Sequence, residues 1–141
     1  MKIYMFLVVI AMIIILLTGE SFGRTMTHLD SAIEKGETNL LIALHSDNYG
    51  LRASAAQILG DLKCDEAVIP LMRILHTSSD ENMRVLAAFS LYKIQNPIGL
   101  FAVQQAIRFD NSSWVRKMCA NYYYDTLRQE VAAARQKSKI K

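Results

Sequence analysis

Three stretches of the chain repeat one another at a fixed interval of 32 residues, and they align without a gap. They are Leu51-Arg52-Ala53-Ser54-Ala55-Ala56-Gln57-Ile58-Leu59, Met83-Arg84-Val85-Leu86-Ala87-Ala88-Phe89-Ser90-Leu91 and Val115-Arg116-Lys117-Met118-Cys119-Ala120-Asn121-Tyr122-Tyr123. A period of this size marks a row of supersecondary units, each too small to bury its own apolar face and therefore stacked on the next. Within each unit the spacing is helical. Leu51, Ala55, Leu59 and Leu62 fall three and four apart, as do Met83, Ala87, Leu91 and Ile94, and Val115, Cys119 and Tyr123. The small residues Ala55, Ala87 and Cys119 let helix axes approach, and the longer aliphatics beside them fill the gaps.

A shorter apolar run precedes each of these helices: Leu40, Leu41 and Leu44, then Val68, Leu71, Met72 and Leu75, then Leu100, Val103 and Ile107. Between run and helix lie Ser46-Asp47-Asn48, Thr77-Ser78-Ser79-Asp80 and Asp110-Asn111-Ser112-Ser113, rich in residues that cap helix N-termini. Pro70 and Pro97 stand near the starts of two first helices, where a missing N–H costs least. The spacing predicts an all-α chain of three helical hairpins over 37–63, 64–95 and 96–128. A capping helix is expected within 24–36, with Leu29, Ala32 and Ile33 on one face and Gly36 as its stop. The last helix is expected to reach Ala134 and then fray, so that 129–141 forms a basic tail.

The order of a loop acid, a hydrophobic-Arg pair, Ala-Ala and Leu reads Asp47…Leu51-Arg52…Ala55-Ala56…Leu59-Gly60, with two later copies. This pattern resembles HEAT-like repeats over about residues 37–128, in particular the short bacterial kind also found in phycobilisome-lyase-type proteins. The resemblance implies a right-handed α-α solenoid of armadillo type whose second helices line a concave side. It also implies that Arg52, Arg84 and Arg116 are structural, pairing with loop acids of adjacent repeats. Asp47, Asp80 and Asp110 stand five, four and six residues before their arginines, an irregular register for such pairing.

At the N-terminus, Met1-Lys2 is followed by 15 uninterrupted apolar residues, Ile3 to Leu17, and Ser21 and Gly23 precede Arg24. A positive start, an apolar run and small residues at −3 and −1 predict a signal peptide over 1–23, cleaved on export to a periplasmic or secreted location. The alternative is an uncleaved membrane anchor. A helix of that length reaches about 22 Å against a hydrocarbon core of about 30 Å. Residues 24–127 carry 10 basic and 11 acidic residues, whereas 128–141 carry five basic residues and one acid. So neutral a body argues against nucleic acid as partner. A chain 52% hydrophobic and 21% charged is not a disordered one.

Little in the sequence carries chemistry. Cys64 and Cys119 lie two repeats apart, about 20 Å at about 10 Å per stacked helix, beyond the ~7 Å that a disulfide spans. Cys119 takes the column of Ala55 and Ala87 and is read as core; Cys64, beside a loop, is read as open to an intermolecular bridge. His45 and His76 follow core leucines at first-helix ends, suited to hydrogen-bonding the last carbonyls, and with His28 they form no metal set. There is no Gly-x-Ser-x-Gly, phosphate-binding loop or His-Glu-x-x-His, so neither an enzyme nor a cofactor is expected.

The second helices instead offer a surface. Opposite the core, Ala53, Gln57, Gly60 and Asp61 line up with Val85, Phe89, Tyr92 and Lys93, and with Lys117, Asn121, Tyr124 and Asp125. Aromatic anchors among opposite charges have the composition of a protein-binding hot spot. Tyr123 is expected inward, Tyr122 half-buried and Tyr124 outward. The expected function is a non-catalytic scaffold for a protein or peptide partner. Two alternatives are a membrane-anchored accessory protein whose basic tail meets lipid, and a lyase-type enzyme subunit, for which no chromophore site is visible.

Overall fold

The computed structural model describes residues 35–139, and every regular element among them is helical. The predicted signal peptide, and all but the last two residues of the predicted capping helix, lie outside the described residues. Helix α1 spans 35–43 and α2 Tyr49–Asp61. A short 3₁₀ turn, Asp65–Ala67, leads into α3, Val68–Thr77. Then come α4, Glu81–Ile94, α5, Pro97–Phe109, and α6, Ser113–Lys139. In chain order they pair as α1–α2, α3–α4 and α5–α6, and α1 runs on through Gly36, where the sequence predicts that a capping helix stops.

Equivalent residues start the second helices alike. Asn48, Asp80 and Ser112, spaced 32 apart, each accept a hydrogen bond from the backbone N–H three residues on, at 3.1, 2.8 and 3.4 Å. Each satisfies an N–H that the first turn leaves without a helical partner. Equivalent residues also stop α2 and α4, since Lys63 and Gln95 adopt left-handed backbone at φ 55° and 62°. The next residue in that column, Leu127, stays helical. No proline or capping residue follows it, only Arg-Gln-Glu-Val-Ala-Ala-Ala, all but Val131 strong helix formers. The tail expected to fray beyond Ala134 is therefore helix through Lys139, a correction to the expectation from sequence.

Helix α4 sits at the centre, packed on α2, α3, α5 and α6. Second helices lie side by side in the order α2, α4, α6, and first helices α3 and α5 adjoin. Ala55, Ala87 and Cys119 are all fully buried, as are Leu59, Leu71, Leu91 and Val103. Leu51 and Leu62 are about half exposed, while their equivalents Met83 and Ile94, and Val115 and Thr126, are buried. The first hairpin is the outermost of those described.

One column shows how differently the two joints between second helices are made. Gly60, placed by spacing on the open face, is buried instead: a Cβ built there would stand 2.9 Å from Ser90 Cα. The same positions one repeat on hold Tyr92 and Tyr122, whose rings stack at 5.6 Å. Main chain meets side chain at α2–α4, whereas rings meet at α4–α6.

Candidate protein-interaction surface

The arginines define the loop edge of the stack. Arg52, Arg84 and Arg116 each donate from Nη1 to the carbonyl six residues back, that of Ser46, Ser78 and Asp110, at 2.6, 2.8 and 2.7 Å. The side chains of that column also tie the turn together, since Ser46 Oγ, Ser78 Oγ and Asp110 Oδ1 each accept from the N–H two residues on. The register is regular after all. Asp80 and Asp110 stand at irregular distances because they occupy different columns, a cap and a turn. Among the described loop acids, the one in the turn column reaches back a repeat: Arg84 grips Asp110 with Nε to Oδ2 at 3.0 Å and Nη2 to Oδ1 at 3.1 Å, and Nη2 also meets Asn111 Oδ1 at 2.9 Å. Ser78, in the column of Asp110, offers Arg52 no carboxylate.

The second-helix face gathers most of the residues singled out by spacing. Phe89, Tyr92 and Tyr122 form one half-buried cluster, with centroids 5.5 to 6.1 Å apart, and Lys93 Nζ lies 5.5 Å from the Phe89 ring. Lys93 also pairs with Asp61 of the preceding repeat. That pair is 40% and 46% exposed, so it contributes at most about 1 kcal/mol. Tyr92 Oη donates to Asp125 Oδ2 at 2.5 Å, and Gln129 Nε2 donates to both, at 2.9 and 2.7 Å. By accepting that hydrogen bond, the Asp125 carboxylate favours the protonated phenol and raises Tyr92 above its ordinary pKa, and burial adds to the effect. Asp61, Lys93, Tyr92 and Asp125 thus brace successive repeats. Gln57, Asn121 and Tyr124 stay exposed, and Val85 is half-buried against the core. Tyr122 and Tyr123 are both half-buried, Tyr123 Oη accepting from Gln104 at 3.0 Å.

Sequence reasoning passed over a cleft of about 910 Å³ between α3 and α5. Met72, Leu75, Phe101, Ala106 and Phe109 wall it, and Phe109 is 76% exposed. Phe101, 56% exposed, stands in the column of Ile69, 57% exposed, and on the same side of α5 as Gln105 and Arg108, where helical spacing expects no aromatic. His76 lines the cleft, and His45 hydrogen-bonds the Leu41 carbonyl at 3.1 Å.

Both cysteines are free and buried. Cys64 is 5% exposed, not open at the surface as the loop position suggested, because the turn into Asp65–Ala67 folds it under the first hairpin toward Glu66. Burial raises the pKa of both thiols, that of Cys119 to about 12. Thiolate is the reactive form, so a disulfide reagent at neutral pH should titrate neither thiol in the folded protein and both after denaturation. Reaction of one equivalent in the native state would show Cys64 to be accessible.

Helical hairpins stacked at a constant interval, with equivalent caps, stops and arginines, define an α-helical repeat protein. The chain belongs to the HEAT repeats, whose family model matches residues 37–122. Such repeats commonly mediate protein–protein interaction. No curated protein matches this chain.

Proposed function

We propose that this protein is an exported, non-catalytic interaction module, a right-handed HEAT-type array of the short bacterial kind. Its partner, a protein or peptide segment, docks on the second-helix face around Phe89, Tyr92 and Tyr124. The observation that carries the reading is the Phe89–Tyr92–Tyr122 cluster, held half-exposed across two repeats by the Tyr92–Asp125–Gln129 hydrogen bonds. Rings fixed before binding lose little entropy when a partner covers them. Export rests on the apolar run Ile3–Leu17 and the small residues before Arg24. An N-terminus at Arg24 in protein isolated from its source is the expected sign of it.

Affinity capture with the whole chain as bait tests the docking face. Tyr124 is 54% exposed and Phe89 half-buried. Tyr124→Ala and Phe89→Ala together should reduce recovery of a specific partner about 30-fold, as loss of a hot spot of about 2 kcal/mol implies. Tyr124→Ala alone should leave the melting temperature almost unchanged. Undiminished capture by the double variant would place the partner elsewhere.

A further inference from the structure

Helix α6 outruns the helices packed on it. It has 27 residues against 14 in α4 and 13 in α5, a length of about 40 Å. Every residue from Leu127 to Ser138 is exposed. So short a free helix is marginal in water without something to cover its apolar side, and it has such a side. Tyr124, Leu127, Val131 and Ala134 are spaced three, four and three apart, on one face. Leu127 and Val131 are 38% and 52% exposed. With Arg128 and Arg135 they line a concavity of about 440 Å³.

Charge selects the occupant. From Arg128 to Lys139 the helix carries four basic residues against Glu130, a net +3, which opposes pairing with a second copy. An apolar stripe bordered by arginines is suited to the boundary between anionic headgroups and acyl chains. We propose that the free half of α6 is an interfacial helix that lays Leu127, Val131 and Ala134 onto an anionic bilayer, with Arg128 and Arg135 at the headgroups. This does not depend on partner docking around Phe89.

The test uses the whole chain with Ala134→Cys carrying an environment-sensitive fluorophore. Cys64 and Cys119, buried, stay unlabelled. Vesicles of equal parts phosphatidylglycerol and phosphatidylcholine should shift the emission to the blue, and vesicles of phosphatidylcholine alone should not. A label on Gln136→Cys, across the helix from the stripe, should keep its aqueous emission. Each basic residue near an anionic surface strengthens binding about fivefold, so Arg128→Gln with Arg135→Gln should raise the lipid needed for half the shift about 25-fold. Insertion of Ile3–Leu17 would act alike on the Ala134→Cys and Gln136→Cys labels, so a difference between the two reports the stripe itself. An absent shift on anionic vesicles, an equal shift on neutral ones, or indifference to the arginine changes would overturn the proposal. So would a shift without lipid that grows with protein concentration, which would mark the stripe as a self-pairing seam.

Discussion

Arg84→Ala is expected to destabilise the fold by about 3–5 kcal/mol, the usual cost of stranding one member of a buried ion pair. Both side chains are nearly inaccessible, at 6% and 7% for Arg84 and Asp110. Without the guanidinium the Asp110 carboxylate keeps its bond from the Ser112 N–H, at 2.8 Å, and loses both bonds from Arg84. For a domain of this size the loss lowers the melting temperature by more than about ten degrees. Arg84→Lys should recover less than half, because an ammonium is a point charge that cannot match the fork. Arg84→Met with Asp110→Leu should cost much less than Arg84→Ala, since no charge is then left buried. The internal control is Arg52→Ala, which removes a hydrogen bond to the Ser46 carbonyl and no ion pair to a later repeat; about 1 kcal/mol is expected there. Equal melting losses at 52 and 84 would refute the view that the cross-repeat rung, rather than the carbonyl bond, holds the loop edge.

The second large effect is expected at Gly60. Alanine in a helix interior is ordinarily worth up to about 1 kcal/mol over glycine, but here sterics win. A Cβ would lie 2.9 Å from Ser90 Cα and 3.0 Å from its Cβ, so α4 itself has to move. Gly60→Ala should cost about 1–3 kcal/mol, as overpacking does, and Gly60→Val more. Gly50, also helical, serves as the control: its added Cβ would meet Asn48 Oδ1 at 3.4 Å and nothing closer. Gly50→Ala should be neutral or slightly stabilising. Thermal melts that ranked the two alanine variants the other way round would show that α2 and α4 are not in such close approach.

How much of this was legible in sequence depended on whether the 32-residue frame was followed position by position. Three hairpins and the buried column Ala55, Ala87 and Cys119 could be read directly, because each repeat restates them. The Arg84–Asp110 grip was obscured when acids were matched by residue type; matched by column, Asp110 falls under Ser46 and Ser78, and its reach becomes apparent. Gly60 was misplaced because helical periodicity assigns a face, and a glycine permits an approach close enough to bury that face as well. The helical extent of α6 was underestimated because a run of charged residues resembles a tail when the absence of any stop is not weighed. Phe101 and Phe109 were hard to read because they share the side of α5 that Gln105 and Arg108 mark as solvent-facing.

The contrast between the Gly60–Ser90 and Tyr92–Tyr122 joints has an evolutionary consequence. Where backbone meets side chain, the spacing of two helices is already at its minimum and point mutation can only widen it. Where rings meet, every smaller or larger residue resets the interval and with it the tilt of the hairpin beyond. Drift in such an array is thus free to re-aim the C-terminal hairpin while the first two hold their mutual setting, so specificity for a new ligand can evolve at one end without endangering the other.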